Sequence, residues 1–138
     1  MPQLPGGWLE LAALLNENSR YRDAAGVFEQ AHGVLPQDGQ IAHANARFLA
    51  SVPDTTLRDG KQALDLAQRV FDANPTLTHL ETLAMANAQA GNCEKAAHWQ
   101  QEIVKLIAGD ERFDPVQVER AKGLLEHYVS ARPCAYTN

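Results

Sequence analysis

Five histidines, His32, His43, His79, His98 and His127, are the side chains here best able to bind a metal or pass a proton near neutral pH. No two of them stand three or four residues apart, so no single helix face offers two ligands. A pair has to form across elements, and His43 with His79, beside Glu81, is the combination for which an enzymatic use is worth stating. The plainer expectation is two histidines that hydrogen-bond at a surface. Cys93 and Cys134 lie far apart in the chain, with no CxxC and no histidine at ligand spacing. They are expected to be two free, inert thiols, the first a small buried side chain and the second in a loose tail after Pro133. Gly6-Gly7 lacks the Lys-Ser/Thr ending and the preceding strand of a phosphate loop. No catalytic, cofactor-binding or metal-binding set emerges, and the expectation is a protein that is not an enzyme and needs no cofactor.

Charge narrows the partners. The formal net charge is −5, and the 12 lysines and arginines are scattered rather than clustered. Nucleic acid calls for a basic patch, and an anionic membrane surface for a basic run. Neither partner is expected. No apolar run is long enough to span a bilayer, and the first residues lack the basic and apolar regions of a signal peptide. The expected location is cytoplasmic, unless the chain is a fragment of something longer.

The elements that must position these residues read as helices. Residues 5–18 carry Trp8, Leu11, Ala12, Leu14 and Leu15 at helical spacing, and residues 20–34 carry Tyr21, Ala24, Val27, Phe28 and Ala31. Ser19 is expected to cap the second helix and Pro36 to stop it. A third helix spans about 39–51, with Ile41, Ala42, Ala46, Phe48 and Leu49. A long connection follows through Pro53 and Asp54 to Asp59, the expected cap of a fourth helix with Ala63, Leu66, Ala67, Val70 and Phe71. Helices are expected over 77–90 and 93–108, joined by Gly91-Asn92 with Asn92 as cap and closed by Gly109. Asp114-Pro115-Val116-Gln117 has the residues of a capping box and opens a last helix over about 115–131. Residues 132–138 are a tail.

The pattern repeats. Trp8, Leu11, Ala12, Tyr21 and Ala24 reappear, all at one fixed offset, as Leu80, Leu83, Ala84, Cys93 and Ala96. Ala24, Phe28, Ala31 and Pro36 reappear at a second, shorter offset as Ala63, Ala67, Val70 and Pro75. These residues resemble the signature of the tetratricopeptide repeat (TPR), a helical hairpin repeated every ~34 residues, with an insertion before Ala63 that lengthens the second unit by about five. The stretch from Leu49 through Pro53-Asp54 to Arg58-Asp59-Gly60 resembles a variant common in bacterial arrays. The resemblance covers about residues 5–108, and Gln100 departs from it where an aromatic is usual. It implies an all-α fold, a single domain 1–138 of three helical hairpins (about 5–38, 39–76 and 77–109) in a right-handed superhelix, closed by a capping helix.

In such an array the first helix of each hairpin lines the concave side. That register puts Asn16, Gln40, His43, Arg47, Thr78, Glu81 and Met85 in a partner-binding groove. Arg47 is the residue expected to grip a carboxylate or backbone carbonyl, against the alternative that it pairs internally with Glu81. Ala13 stands where a chaperone-tail carboxylate clamp needs asparagine, so that mode is not expected. Trp8 is expected in the core, and Trp99 near the capping helix, partly exposed. The function implied is a module that binds a protein or peptide partner. The alternative is a spacer of a larger bacterial protein that self-associates as a homodimer.

Overall fold

A computed structural model describes residues 4–137. Among these it contains seven α-helices: α1 (Pro5–Glu17), α2 (Tyr21–Val34), α3 (Gly39–Ser51), α4 (Gly60–Ala73), α5 (Leu77–Gln89), α6 (Cys93–Ala108) and α7 (Pro115–Ser130). A single 3-10 turn, Thr55–Leu57, sits in the long connection, and there is no strand among the described residues. Each helix packs on the next one, and α2 also meets the 3-10 turn. In addition α1 packs on α3, and α3 on α5. Helices α1, α3 and α5 therefore neighbour one another in order, while α7 packs on α6.

Helix contacts are close because the contact residues are small. Ala24, Ala46, Ala63, Ala84 and Ala96 have no exposed surface at all. Phe28 and Phe48 fill the space between, with ring centroids 5.2 Å apart. Trp8 is buried in a small satellite cluster with Ala31 and Ile41, as expected of a core tryptophan.

The ends of the helices follow local chemistry. Asp38, Asp59, Thr76 and Asp114 each accept a backbone N–H of the first turn, and Asp114 with Gln117 completes the capping box. Ser19 is not the cap of α2. It adopts φ 59° beyond the end of α1 and donates to the Asn16 carbonyl, while Arg20 N–H reaches back to Leu15. That is a Schellman ending, and Arg20 becomes the cap residue. The same ending closes α5: Gly91 at φ 87° donates to Ala88, and Asn92 to Asn87. The turns at Ser19 and Gly91 are thus one turn used twice, at the same offset that relates Trp8 to Leu80. Asn92 occupies the cap position of α6 without a side-chain capping bond, and its Nδ2 donates to Asn87 Oδ1.

The connection 52–59 is tied down rather than loose. Asp59 N–H donates to the Leu49 carbonyl at 3.1 Å, and Arg58 Nε to the Val52 carbonyl at 2.9 Å. Gly60 then starts α4 hard against the end of α5. A Cβ there would lie 2.6 Å from the Gln89 carbonyl oxygen and 2.8 Å from Ala90 Cα.

Trp99 is partly exposed but leans on Phe71 of α4, with centroids 5.9 Å apart, while it is Gln100 that faces α7 and donates to the Ala121 carbonyl. The cysteines are not free: Cys93, the first residue of α6, is disulfide-bonded to Cys134. The tail is not loose either. After a cis Arg132–Pro133 bond it turns back along α7, and the two sulfurs meet despite their distance in sequence. Sequence spacing alone carried no sign of that return.

Gly60→Ala is expected to cost about 1–3 kcal/mol in urea unfolding, since the obstructing atoms are backbone. The paired turns should respond in opposite directions. Gly91→Ala should cost about 1–2 kcal/mol for a Cβ in the left-handed region, and Ser19→Gly should gain about 0.5–1 kcal/mol by relieving it.

Candidate functional site

Arg47 and His43 stand one turn apart on α3 and reach the same atom of α5. Arg47 Nη1 donates to Thr82 Oγ1 at 3.2 Å, and His43 Nε2 lies 2.8 Å from it. The Thr82 hydroxyl gives its own proton to the Thr78 carbonyl at 3.3 Å. The oxygen therefore accepts from both partners, which places the imidazole proton of His43 on Nε2. Thr82 is completely buried, so this hydroxyl is the polar joint between α3 and α5.

His79 packs its ring against His43 in an edge-on arrangement, with centroids 4.7 Å apart. Its Nδ1 lies 2.7 Å from the Asn74 carbonyl, which only accepts, so Nδ1 carries its proton. Each ring keeps one nitrogen as an acceptor, Nδ1 of His43 and Nε2 of His79. The predicted meeting of the two histidines is therefore observed, but they are not joined by a third ligand. No group of three metal-binding side chains occurs among the described residues. Burial lowers the pKa of His43, and the neighbouring His79 and then Arg47 lower it further.

Arg47 is exposed, and no ion pair joins it to Glu81 among the described residues. Desolvation raises the Glu81 pKa, and Arg47 opposes that shift.

The predicted groove residues divide among three clefts. Asn16, Arg47 and Met85 line a cleft of about 380 Å³ between α1, α3 and α5. Arg47, Glu81 and Met85 line a second, of about 430 Å³, whose far wall is Ile103, Arg120 and Leu124 of α6 and α7. Gln40 and His43 line a third, of about 910 Å³, together with His79 and Asn74. Thr78 is exposed and lines none of these three; its carbonyl rather than its side chain serves the site. Arg47 and Met85 belong to both of the first two clefts, and so does Tyr136 of the tail.

Sequence reading missed Thr82, Tyr136 and Arg58. Thr82 is on the predicted helix, but its burial between α3 and α5 had no signal in residue type. Arg58 was visible within the connection. Its reach to the Tyr136 carbonyl at 2.8 Å and to Gln89 Oε1 at 3.2 Å was not, because it depends on where the tail goes.

Set against protein-family models, curated proteins and solved structures, the chain matches none of them.

The direction of the His43 shift fixes a pH dependence. A histidine with a lowered folded pKa binds its proton more readily when unfolded, so stability falls as pH drops below the unfolded value of 6.5. Glu81 has the opposite sign, in a window that begins at its unfolded value of 4.5. Thermal unfolding between pH 7.5 and 6 should therefore show a declining Tm. His43→Gln should make that decline shallower, and an unchanged slope would remove His43 from the account.

Proposed function

We propose that this chain is a non-enzymatic interaction module of the TPR type that holds an extended peptide segment of a protein partner across α1, α3 and α5. The observation that carries this reading is the position of Arg47. It is exposed, it is steadied by Thr82, and it stands with Met85 at the junction of two clefts. A guanidinium held in this way retains donors for a carboxylate or for successive backbone carbonyls. Arg120 enters the second cleft from α7 and adds a positive charge, while Met85, Ile103 and Leu124 supply apolar floor. A segment that brings a carboxylate to Arg47 and an apolar side chain to that floor fits this chemistry. Because the helices are packed before any ligand arrives, little ordering on the protein side opposes binding.

The test is selection from a random peptide library, run in parallel on the chain with its cysteines oxidised and reduced. Peptides recovered in either state should bind Arg47→Glu at least tenfold more weakly, with helicity by circular dichroism unchanged. Peptides that bind wild type and Arg47→Glu equally would remove the groove from consideration.

A further inference from the structure

The tail places one side chain, Tyr136, where a ligand of this groove would lie. Residues 132–137 leave α7, pass over the ends of α5 and α6, and bring Tyr136 to the junction that Arg47 and Met85 also share. Tyr136 packs on the central core and is half-buried. The contacts that hold this stretch are those by which grooves hold extended peptides: side-chain donors on backbone carbonyls, and one aromatic ring between two clefts. Arg58 Nη1 donates to the Tyr136 carbonyl at 2.8 Å, and His127 Nε2 to the Ala135 carbonyl at 3.0 Å. No regular secondary structure stabilises it from within.

Resting on the groove reading above, we propose that Tyr136 is an internal occupant of the groove, carried there by the tail and fastened by the Cys93–Cys134 disulfide. We propose further that reduction of this bond frees the groove for an external extended segment with an aromatic residue in the place of Tyr136. Ordering six residues of backbone costs conformational entropy, and against it stand the side-chain-to-carbonyl bonds of Arg58, His127 and Arg132 and the packing of Tyr136. The covalent bond adds to these. The cost of the closed state is visible in Tyr128, whose hydroxyl is buried with no hydrogen-bond partner among the described residues. Lifting the tail lets water reach that hydroxyl.

The bond is placed to be opened. Cys134 is almost wholly buried, but Cys93 is partly exposed, and a cleft of about 510 Å³ lined by both cysteines lies beside them. The reductant is a dithiol. One of its thiolates attacks the Cys93 sulfur, and Cys134 departs as a thiolate and takes up a proton. The second thiolate of the reductant then displaces Cys93 from the mixed disulfide. The chain gains two electrons and two protons, and the reductant leaves as its own disulfide. Cys93, the first residue of α6, leaves as a thiolate in its turn and takes up the second proton.

Two measurements test this on the full chain. The first is the 15N heteronuclear NOE of residues 134–137 with the cysteines oxidised and then reduced. The second is binding of the probe acetyl-Pro-Ser-Ala-Tyr-Thr-amide, residues 133–137 with Cys134→Ser. It is added to oxidised wild type and to the Cys93→Ser/Tyr136→Ala double variant. The proposal expects the tail to become mobile on reduction. It also expects the probe to bind the double variant at least tenfold more tightly than oxidised wild type, and to lose that advantage when its tyrosine is replaced by alanine. A tail that stays ordered after reduction overturns the proposal and leaves the groove reading intact. A tail that is freed while the probe ignores the double variant defeats the groove reading and this proposal with it.

Discussion

Helix α5 is buried without interruption from Thr82 to Ala88, and everything else in the structure is arranged around that stretch. A helix that is buried on all sides needs partners on all sides. Here they are α3, α4, α6 and the tail. Close packing on so many sides admits only small side chains at most positions, which is why Ala84, Ala86 and Ala88 alternate with Leu83, Met85 and Asn87. The two polar side chains that α5 itself buries, Thr82 and Asn87, have partners. Asn87 donates to the Leu83 carbonyl, and Thr82 gathers His43, Arg47 and the Thr78 carbonyl on one oxygen. The same crowding explains Gly60, where the start of α4 comes within a methyl group's reach of the end of α5.

That dependence also decides what the sequence disclosed. Helix limits were legible to within a residue or two, because caps and apolar spacing are local properties. Asp59, Asp114 and Gln117 act as their types dictate. The alanines identified by their recurrence are all buried, although Ala46, Ala50 and Ala86, which do not recur, are buried as deeply. Ser19 misled because serine is both a good cap and, rarely, a residue of the left-handed region, and only the equivalence with Gly91 separates the two uses. The disulfide and the role of Arg58 were illegible for a different reason. Both depend on the direction a short segment takes after α7, and no periodicity governs that direction.

The cysteine pair joins fold to circumstance. A disulfide persists in oxidising surroundings and is opened where cellular dithiols prevail. The expectation of a cytoplasmic location and the presence of this bond thus bear on one question, namely which state the tail adopts. With the bond formed, loop closure ties the end of the chain to the start of α6 and disfavours unfolded conformations. The contact between α6 and α7 runs separately from the bond, through Gln100 and the Ala121 carbonyl.

Arg47 sits where these constraints meet. Its guanidinium is fixed from below by Thr82 and stands between two clefts that the Tyr136 ring also borders. Burial, then His79 and then Arg47 depress the pKa of His43, and Arg47 counters the desolvation of Glu81 with no ion pair to it among the described residues. A positive charge neutralised internally would be a poor recognition group, because a ligand would have to break the pair before gaining the contact. Thr82 avoids that cost. A neutral hydroxyl orients the arginine without cancelling its charge, and the proton on His43 Nε2 is directed to the same oxygen rather than toward the cleft. The polar joint that holds α3 to α5 is in this way also what leaves the charge of Arg47 available.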